Sequence, residues 1–277
     1  MLVAGTRIKG LSIGSVGTSL VLPQYKIAFD IGRCVDSTLV ADTVFLTHGH
    51  MDHIGAIAAH CARRELRGLG PTTYYMAPDL IPHVRALFEA FRVLDGSKLA
   101  VTLKPISVGE QVTIGRNAYV EPFPVDHVMP TQGYCVWKAT KSLRPEFQGL
   151  PQAEVKALAI AGEQVSETNW SPDIAFCGDT RISVLDKHEF LRRVRILILE
   201  CTFLDDRVPA DKAHRTFHVH LDHLNAATDK LADVKALVLT HFSARYTAEE
   251  VGQILPESLN DSLRPKAHLF FDHFSER

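Results

Sequence analysis

The stretch FLTHGHMDHIG, residues 45–55, places three histidines and an aspartate within six positions directly after a short apolar run. These residues are His48, His50, Asp52 and His53. Four such groups gathered on a turn after a buried strand need a common cation to offset their desolvation. Their spacing lets them point toward two nearby positions, as a pair of zinc ions with nitrogen and oxygen ligands requires. A lone histidine would more often be structural, but this spacing predicts a metal pair.

A metal pair needs more ligands than one turn supplies, and three further candidates each follow or close an apolar strand. They are His127 in FPVDHVMPTQGY, Asp179 in FCGDT and His241 in LTHFSARY. The ends of separate strands on a rigid scaffold are a normal place to build a metal site. Taken singly, each of the three could instead cap a helix or satisfy a turn.

The composition is that of an ordinary globular protein, because 46% of the 277 residues are hydrophobic, enough for a large core. A net charge of −2 gives no bulk attraction to nucleic acid, so a polyanion would have to be held by a local patch or by metal ions. The five cysteines include no CxxC pair, which favours reduced thiols in a cytoplasm. Arg7, Lys9 and repeated glycines interrupt the N-terminal stretch, no other apolar run approaches membrane length, and we expect no membrane span.

Short β-rich runs recur along the chain, with helical patterns between several of them. The strand predictions cover residues 26–32, 42–48, 72–78, 118–127, 133–139, 173–180, 195–203 and 236–242. The clearest helical patterns cover residues 54–68, 77–96, 219–232 and 247–255. Strands followed by helices occur in the first half and again in the second, which predicts an α/β protein with sheet packed on sheet and helices outside.

The segment 141–172 differs from the rest, since it combines three prolines and two glycines with mixed charges. We interpret it as an excursion from the sheet that ends where DIAFCGDT resumes the core. Its simplest structure is a surface loop with one short helix.

The motif HxHxDH at 48–53, followed in order by His127, Asp179 and His241, resembles the metallo-β-lactamase superfamily. Within it the chain resembles the short, plant-like form of ribonuclease Z, the endoribonuclease that processes tRNA 3′ ends, in GLSIG, IAFDIGRC, HMDHIG, QGYCVWKATKSLRPEFQGLP, FCGDT, ECTFLDD and HFSARY. HxHxDH specifies only the superfamily, whereas HFSARY with ECTFLDD and the downstream histidine is much more specific. The resemblance implies a four-layer αβ/βα sandwich over residues 1–277, a single domain with a reduced substrate-binding arm at about 141–172.

The resemblance also implies two zinc ions and seven ligands: His48, His50 and His127 for one ion, Asp52, His53 and His241 for the other, and Asp179 bridging both. Manganese or iron can occupy similar ligands. Two such ions lower the pKa of bound water to roughly 7, which would make a hydroxide available to attack a phosphodiester. Asp52 is expected to orient this nucleophile as well.

Cleavage also requires a proton for the departing ribose oxygen. The family pattern offers Glu200, in LECTF, and His218, in HRTFHVHLDHL, where a carboxylate would hold an imidazole in its donor tautomer. The chain departs from the family here, because the usual Ser or Thr after the histidine is Val219. His218 stands at the matching distance from ECTFLDD and is our candidate, with His220 as its competitor.

Several further residues follow from the resemblance. Ser243 and Arg245 in HFSARY are expected to face the substrate phosphate, although Arg245 could instead pair with a carboxylate of the fold. Asp30 in AFDIG is expected to orient a ligand histidine. Cys177 replaces a more usual threonine before GDT, and we interpret it as packing.

Three hypotheses for the function follow. The first is a zinc-dependent endoribonuclease that cuts precursor tRNA after the discriminator base, works in the cytoplasm, and forms a homodimer in which one subunit's arm holds tRNA for the other's active site. Lys138, Lys141, Arg144 and Lys156 would then contact phosphates, and the alternative is that they belong to a solvated charged loop. The second is a di-zinc hydrolase of a small phosphodiester, ester or lactone, which the near-neutral charge and the short arm favour. The third, a non-catalytic binding protein, is the weakest because no metal ligand is missing.

Overall fold

The computed structural model of the protein describes residues 1–271. Two large sheets and one small hairpin contain its strands. The strands are β1 Leu2–Val3, β2 Thr6–Arg7, β3 Lys9–Gly14, β4 Gly17–Leu22, β5 Ile27–Phe29, β6 Thr43–Phe45, β7 Thr72–Met76, β8 Val101–Pro105, β9 Val112–Thr113, β10 Ala118–Pro124, β11 Gln132–Leu143, β12 Ser166–Phe176, β13 Ile196–Glu200, β14 Ala236–Thr240, β15 Phe242–Ser243 and β16 Ala267–Leu269. The helices are α1 Met51–Ile54, α2 Ile57–Leu66, α3 Ile81–Asp95, α4 Gln152–Ile160, α5 Val184–Lys187, α6 Ala210–Arg215, α7 Leu221–Ala226 and α8 Ala248–Ser258.

Each large sheet joins antiparallel hairpins to parallel strands. The first sheet has the order β15-β3-β4-β5-β6-β7-β8, and its strands β5 to β8 run parallel. The second has the order β16-β14-β13-β12-β11-β10-β9, and β12, β13, β14 and β16 run parallel. Parallel neighbours need a crossover connection, and helices α2 and α3 supply it in the first sheet.

The two sheets face each other across a core of aromatic and branched side chains. Phe29 and Phe45 of the first sheet meet Tyr134 and Phe176 of the second, with ring centroids 5.4 Å apart for Phe29 and Phe176 and 5.2 Å apart for Phe45 and Tyr134. Burying one such ring stabilises the fold by roughly 2 kcal/mol.

Helices cover the outer faces of both sheets. On the first sheet a cluster joins Val44 and Tyr74 to Ile57 of α2 and Phe88 of α3. On the second sheet another cluster joins strand residues such as Leu199 to helices α5, α7 and α8. The layers are therefore helix, sheet, sheet and helix, and the predicted α/β sandwich is confirmed.

The carboxyl ends of the parallel strands gather at one edge of this sandwich, and the chain leaves them carrying the conspicuous polar residues. His48 follows β6, Asp179 follows β12, and His241 follows β14. The motif at 48–53 does not stay a simple turn, because it becomes the one-turn helix α1 with His50 at its N-cap. Gly32 permits this packing, since a Cβ there would lie 1.9 Å from the backbone oxygen of Asp52.

Residues 141–172 are built on a two-stranded ribbon. Strands β11 and β12 pair antiparallel as far as Leu143 and Ser166, so β12 begins six residues before the predicted end of the excursion at residue 172. Between the strands lies α4, none of whose residues is buried. We refer to residues 141–172 as the arm.

Within residues 1–271 no helix combines the length and the apolar content needed to cross a membrane.

Candidate active site

The seven residues expected to bind metal lie together at the sheet edge, in two groups. Within each group the side-chain ligand atoms lie within 4.8 Å of one another. The groups are His48, His50, His127 and Asp179, and Asp52, His53 and His241. The structure thus brings together the two sets of residues that the family resemblance assigned to two ion sites.

Asp179 lies between the groups and turns one oxygen to each. Its Oδ1 is 3.2 Å from Nε2 of His53 and 3.4 Å from Nε2 of His241. Its Oδ2 is 3.9 Å from Nε2 of both His48 and His127. A carboxylate placed in this way has one oxygen available to a cation in each group.

The chemistry of the donor set fits a pair of divalent ions. Nδ1 of His50 lies 2.9 Å from Nε2 of His48 and 3.3 Å from Nε2 of His127, so ring nitrogens crowd one another. Burial lowers the pKa of His48 to about 2, which keeps this ring in the neutral form that binds metals. Oδ1 of Asp179 is buried and has no hydrogen-bond partner among residues 1–271. A cation between these atoms satisfies all of them.

Asp30 holds His53 in the tautomer that metal binding needs. The Nδ1–H of His53 donates to Oδ2 of Asp30 over 2.8 Å, which leaves Nε2 facing the ligand group. Burial raises the pKa of Asp30, which is fully enclosed. Burial lowers the pKa of His53, but Asp179 and Asp30 on its two sides raise it well above its ordinary value. The two carboxylates beside the His53 ring therefore favour a positive charge on this side chain.

Two threonines that the sequence analysis did not identify orient two more ligands. The hydroxyl of Thr47 donates to Asp30 over 2.8 Å and lies 2.9 Å from Nδ1 of His48. The hydroxyl of Thr202 donates to Glu200 and lies 3.0 Å from Nδ1 of His241. Each hydroxyl can accept the Nδ1 proton of its histidine, which leaves Nε2 free for metal.

The side chain of Asp52, in the single turn of α1, lies close to His241. Its Oδ2 accepts a hydrogen bond of 2.7 Å from the backbone N–H of Ser15 and lies 3.5 Å from Nε2 of His241. Burial raises the pKa of Asp52, but the hydrogen bond to His241 and the charge of His53 lower it further, so that its pKa lies below the ordinary value. The carboxylate is therefore ionised at neutral pH.

Glu200 and His218 form a hydrogen-bonded pair beside the ligand groups. Nδ1 of His218 lies 2.9 Å from Oε1 of Glu200. Oε1 also accepts from the backbone N–H of Thr180, and Oε2 accepts from that of Val219. Burial lowers the pKa of His218, but the charge and hydrogen bond of Glu200 raise it to about 9 overall. The ring therefore carries a proton at neutral pH, and Nε2 is the nitrogen that can give it away.

His220, the competing candidate, lies in a different environment. It is the N-cap of α7, where its Nδ1 accepts from the backbone N–H of Asp222 over 3.1 Å. Nδ1 of His223 in turn accepts from the backbone N–H of His220. His220 thus serves the helix end, and it makes no hydrogen bond with Glu200 among the described residues.

A cavity of about 470 Å³ opens over the ligand groups. Its lining includes seven of the residues expected from the sequence: His50, Asp52, Asp179, His218, His241, Ser243 and Arg245. Cys177 lies instead in the core of the second sheet, where burial raises the pKa of its thiol, so its role is packing.

Comparison with known proteins places this site in a family. The model of the beta-lactamase superfamily domain matches residues 32–242. The chain is 36% identical to tRNase Z TRZ1 of Arabidopsis thaliana over 91% of its own length and 90% of the relative, and 34% identical to the chloroplastic tRNase Z TRZ2 of the same plant over 88% and 69%. The crystal structure of human tRNase Z, short form, has the same fold, with a TM-score of 0.58, 18% identity, and coverage of 87% of this chain and 93% of that one. The chain belongs to the tRNase Z family of the beta-lactamase superfamily.

Proposed function

We propose that the protein is a zinc-dependent endoribonuclease that removes the 3′ trailer of precursor tRNA. The observation that carries this proposal is the Glu200–His218 pair, since His218 lines the cavity that opens over the clustered ligands. Hydrolysis of a simple activated ester needs only a nucleophile and charge neutralisation, whereas an RNA phosphodiester has an alkoxide leaving group that must be protonated. Compared with hydrolysis of an activated ester, RNA cleavage therefore also requires a proton donor beside the metal ligands.

The ion sites would be held by the two groups described above, with Asp179 common to both. Two zinc ions bound there would lower the pKa of a water molecule and neutralise phosphate oxygens. The matching relatives carry the name tRNase Z, which supports RNA as the substrate class.

The residues of the chain bind the phosphate, orient the attacking water and protonate the leaving oxygen. Arg245 and Ser243, at the rim of the cavity, bind a nonbridging phosphate oxygen through guanidinium and hydroxyl donors. Asp52 accepts a hydrogen bond from the attacking water and orients it toward phosphorus. As the new P–O bond forms, the bond between phosphorus and the ribose 3′ oxygen breaks in line with it. His218 gives its Nε2 proton to that oxygen, so the tRNA keeps a 3′ hydroxyl and the trailer leaves with a 5′ phosphate.

The proposal is tested with purified protein reconstituted with zinc and two substrates. One is a precursor tRNA with a 3′ trailer, and the other is bis(p-nitrophenyl) phosphate, whose leaving group departs without a proton. We expect cleavage of both, with the tRNA cut at a single site after the discriminator base. Hydrolysis of the chromogenic ester without trailer removal would exclude tRNA processing.

That second outcome would favour the other candidate, a di-zinc hydrolase of small phosphodiesters, esters or lactones. The observations on its side are the net charge of −2 and the small size of the arm, whose one helix has nine residues. Both reduce the electrostatic attraction for a polyanion. Neither explains the Glu200–His218 pair.

Replacing Asp30 by Asn should weaken metal binding by about 10-fold to 100-fold, because the amide cannot accept from both Thr47 and His53. The affinity is measured by competition with a chromophoric zinc chelator. Asp173→Asn is the matched control, since this buried carboxylate pairs with Arg195 near the opposite end of β13. Asp173→Asn should lower the melting temperature without changing zinc affinity. Equal zinc affinity in Asp30→Asn and the parent protein would mean that Asp30 does not orient His53.

The arm is the part of the chain to which we assign tRNA binding. Lys138 and Lys141 on β11 and Lys156 on α4 are all exposed, whereas Arg144 pairs with Glu146 over 3.1 Å. Trp170 on β12 is 45% exposed and packs against Tyr119, so it offers an aromatic face to a base or ribose. Lysines near an exposed ring suit a nucleic-acid backbone.

Replacing residues 144–165 by the two-residue turn Asn-Gly should raise KM for precursor tRNA about tenfold or more and leave the turnover of bis(p-nitrophenyl) phosphate unchanged. The reason is that each lost phosphate contact weakens binding, while Leu143 and Ser166 still pair and suit a tight hairpin turn. Steady-state kinetics on both substrates measure the effect. Equal losses on both would mean that the arm supports the fold.

We also propose a cytoplasmic homodimer in which the arm of one subunit serves the site of the other. All five cysteines are free thiols in the structure, which fits a reducing compartment. Mixing the arm-replaced chain with His218→Ala tests the dimer, since one supplies an intact site and the other an intact arm. Recovery of tRNA cleavage on mixing supports the proposal. A mixture no more active than its parts, with monomers in sedimentation, contradicts it.

A further inference from the structure

The loop that carries His218 has an unusual residue at its bend. Helix α6 ends in a Schellman motif, in which the N–H of His218 donates to the carbonyl of Ala213 over 3.0 Å and the N–H of Phe217 donates to that of His214 over 3.2 Å. The bend residue is Phe217, with a φ of +63°. This left-handed position is usually occupied by glycine, because a side chain there costs energy. Something must hold a phenylalanine in it.

Arg181 is the residue that holds it. Its guanidinium carbon lies 3.7 Å from the centroid of the Phe217 ring, a close cation–π contact. Its Nε donates to the carbonyl of His214 over 2.7 Å, the same carbonyl that accepts the N–H of Phe217. Both the ring and the backbone of the bend are therefore fixed by one side chain.

The same arginine reaches the loops that carry two metal-ligand candidates. Its guanidinium lies 3.3 Å from Oδ2 of Asp126, the neighbour of His127, and its backbone N–H donates to the carbonyl of Asp126 over 3.2 Å. Asp179 stands two positions before it in the chain. Arg181 thus ties together the loops that carry His127, Asp179 and His218.

Arg181 does not itself face the reacting groups. Neither Arg181 nor Phe217 is among the residues that line the cavity over the ligands. The ring of Phe217 lies instead beside the ring of His127, with the two centroids 6.4 Å apart and the ring planes nearly perpendicular. A contact of this kind sets where neighbouring rings lie and takes no part in the chemistry.

We propose that Arg181 is a positioning residue for the proton donor. It clamps Phe217 in the left-handed bend and thereby keeps the His218 ring against Glu200 and aimed at the departing oxygen. This inference rests on the proposed function, in which His218 protonates that oxygen.

The test compares Arg181→Met, Phe217→Leu and the double variant with the parent protein and with His218→Ala on both substrates. Arg181→Met should lower kcat on precursor tRNA by about 10-fold to 100-fold, because a small misplacement of a catalytic group has effects of this size. KM and zinc content should change little. Turnover of bis(p-nitrophenyl) phosphate should fall far less, since its leaving group needs no proton. The double variant should be no worse than the worse single variant, because both changes release the same bend.

Arg92→Met is the matched control. This arginine on α3 also combines an aromatic contact, to Phe88, with hydrogen bonds to two backbone carbonyls and a carboxylate, and it lies outside the site. It should leave the ratio of the two activities unchanged.

Several results would overturn the inference. In Arg181→Met these are an unchanged kcat on tRNA, equal losses of activity on both substrates, or a loss of zinc. A rise in KM alone would also overturn it, because that result would indicate that Arg181 contacts the RNA directly. If Arg181→Met does not fold, the inference is tested by the ratio of the activities on precursor tRNA and bis(p-nitrophenyl) phosphate in Phe217→Leu. The proposed function fails separately, when the parent protein does not cut tRNA or when His218→Ala retains full kcat.

Discussion

Replacing Asp179 by Ala is expected to abolish turnover of both precursor tRNA and bis(p-nitrophenyl) phosphate, with losses of at least about a thousandfold. Asp179 turns one oxygen to each ligand group, so its removal weakens both ion sites at once. Bound ions supply several kcal/mol of charge stabilisation, and each ~1.4 kcal/mol corresponds to a tenfold change in rate. Zinc content, measured by atomic spectroscopy after reconstitution, should fall from about two equivalents to less than one.

Asp186→Ala is the control for this change, because Asp186 is an exposed carboxylate on α5 that pairs with Lys230 and Arg192. It should retain the metal and both activities. If Asp179→Ala kept two equivalents of zinc and most of its tRNA turnover, the bridging role would be wrong. Circular dichroism would establish in either case that the variant is folded.

Replacing His218 by Ala is expected to lower kcat on precursor tRNA by about 10²-fold to 10⁴-fold, the range over which general acids contribute. The zinc content should not change, and hydrolysis of bis(p-nitrophenyl) phosphate should fall much less because p-nitrophenolate leaves unprotonated. The ratio of the two losses separates proton donation from damage to the site. Steady-state kinetics on both substrates, with metal analysis of the same samples, measure it.

His220→Ala is the informative partner of this variant. Loss of the His220 imidazole removes the N-cap of α7. This should destabilise the fold by about 1 kcal/mol without a selective effect on tRNA cleavage. Full tRNA activity in His218→Ala together with a selective loss in His220→Ala would transfer the proton-donating role to His220.

The pattern of strands and helices predicted sheet packed on sheet with helices outside, and the family resemblance supplied the four-layer fold and the two ligand groups. Each of the eight expected strand segments contains a strand, and the residues expected to bind metal stand directly after such strands. Strand β8, Val101–Pro105, was not predicted: its half-buried and exposed residues do alternate, but the alternation spans only four residues and ends at a proline.

Apart from Asp30, which the family resemblance indicated, the residues that orient the site could not be predicted, because their roles depend on partners distant in the chain. Thr47 was conspicuous only by its place before His48, and Thr202 only by its place in ECTF, since a hydroxyl leaves no periodic signal. Arg181 finds His214 and Phe217 more than thirty positions away. The choice between His218 and His220 likewise required knowing which imidazole lies against Glu200.

His241 joins the two large sheets as well as lying in a ligand group. Thr240 before it ends β14 of the second sheet, and Phe242 after it begins β15, which pairs with Ile13 at the edge of the first. The chain thus passes from one half of the sandwich to the other at this residue, whose φ is +61°. Ions held here would tie together the two sheets, whose chain connection runs through this residue. Binding of ions at this joint would therefore raise the free energy of unfolding of the whole sandwich, beyond what the shared aromatic core supplies.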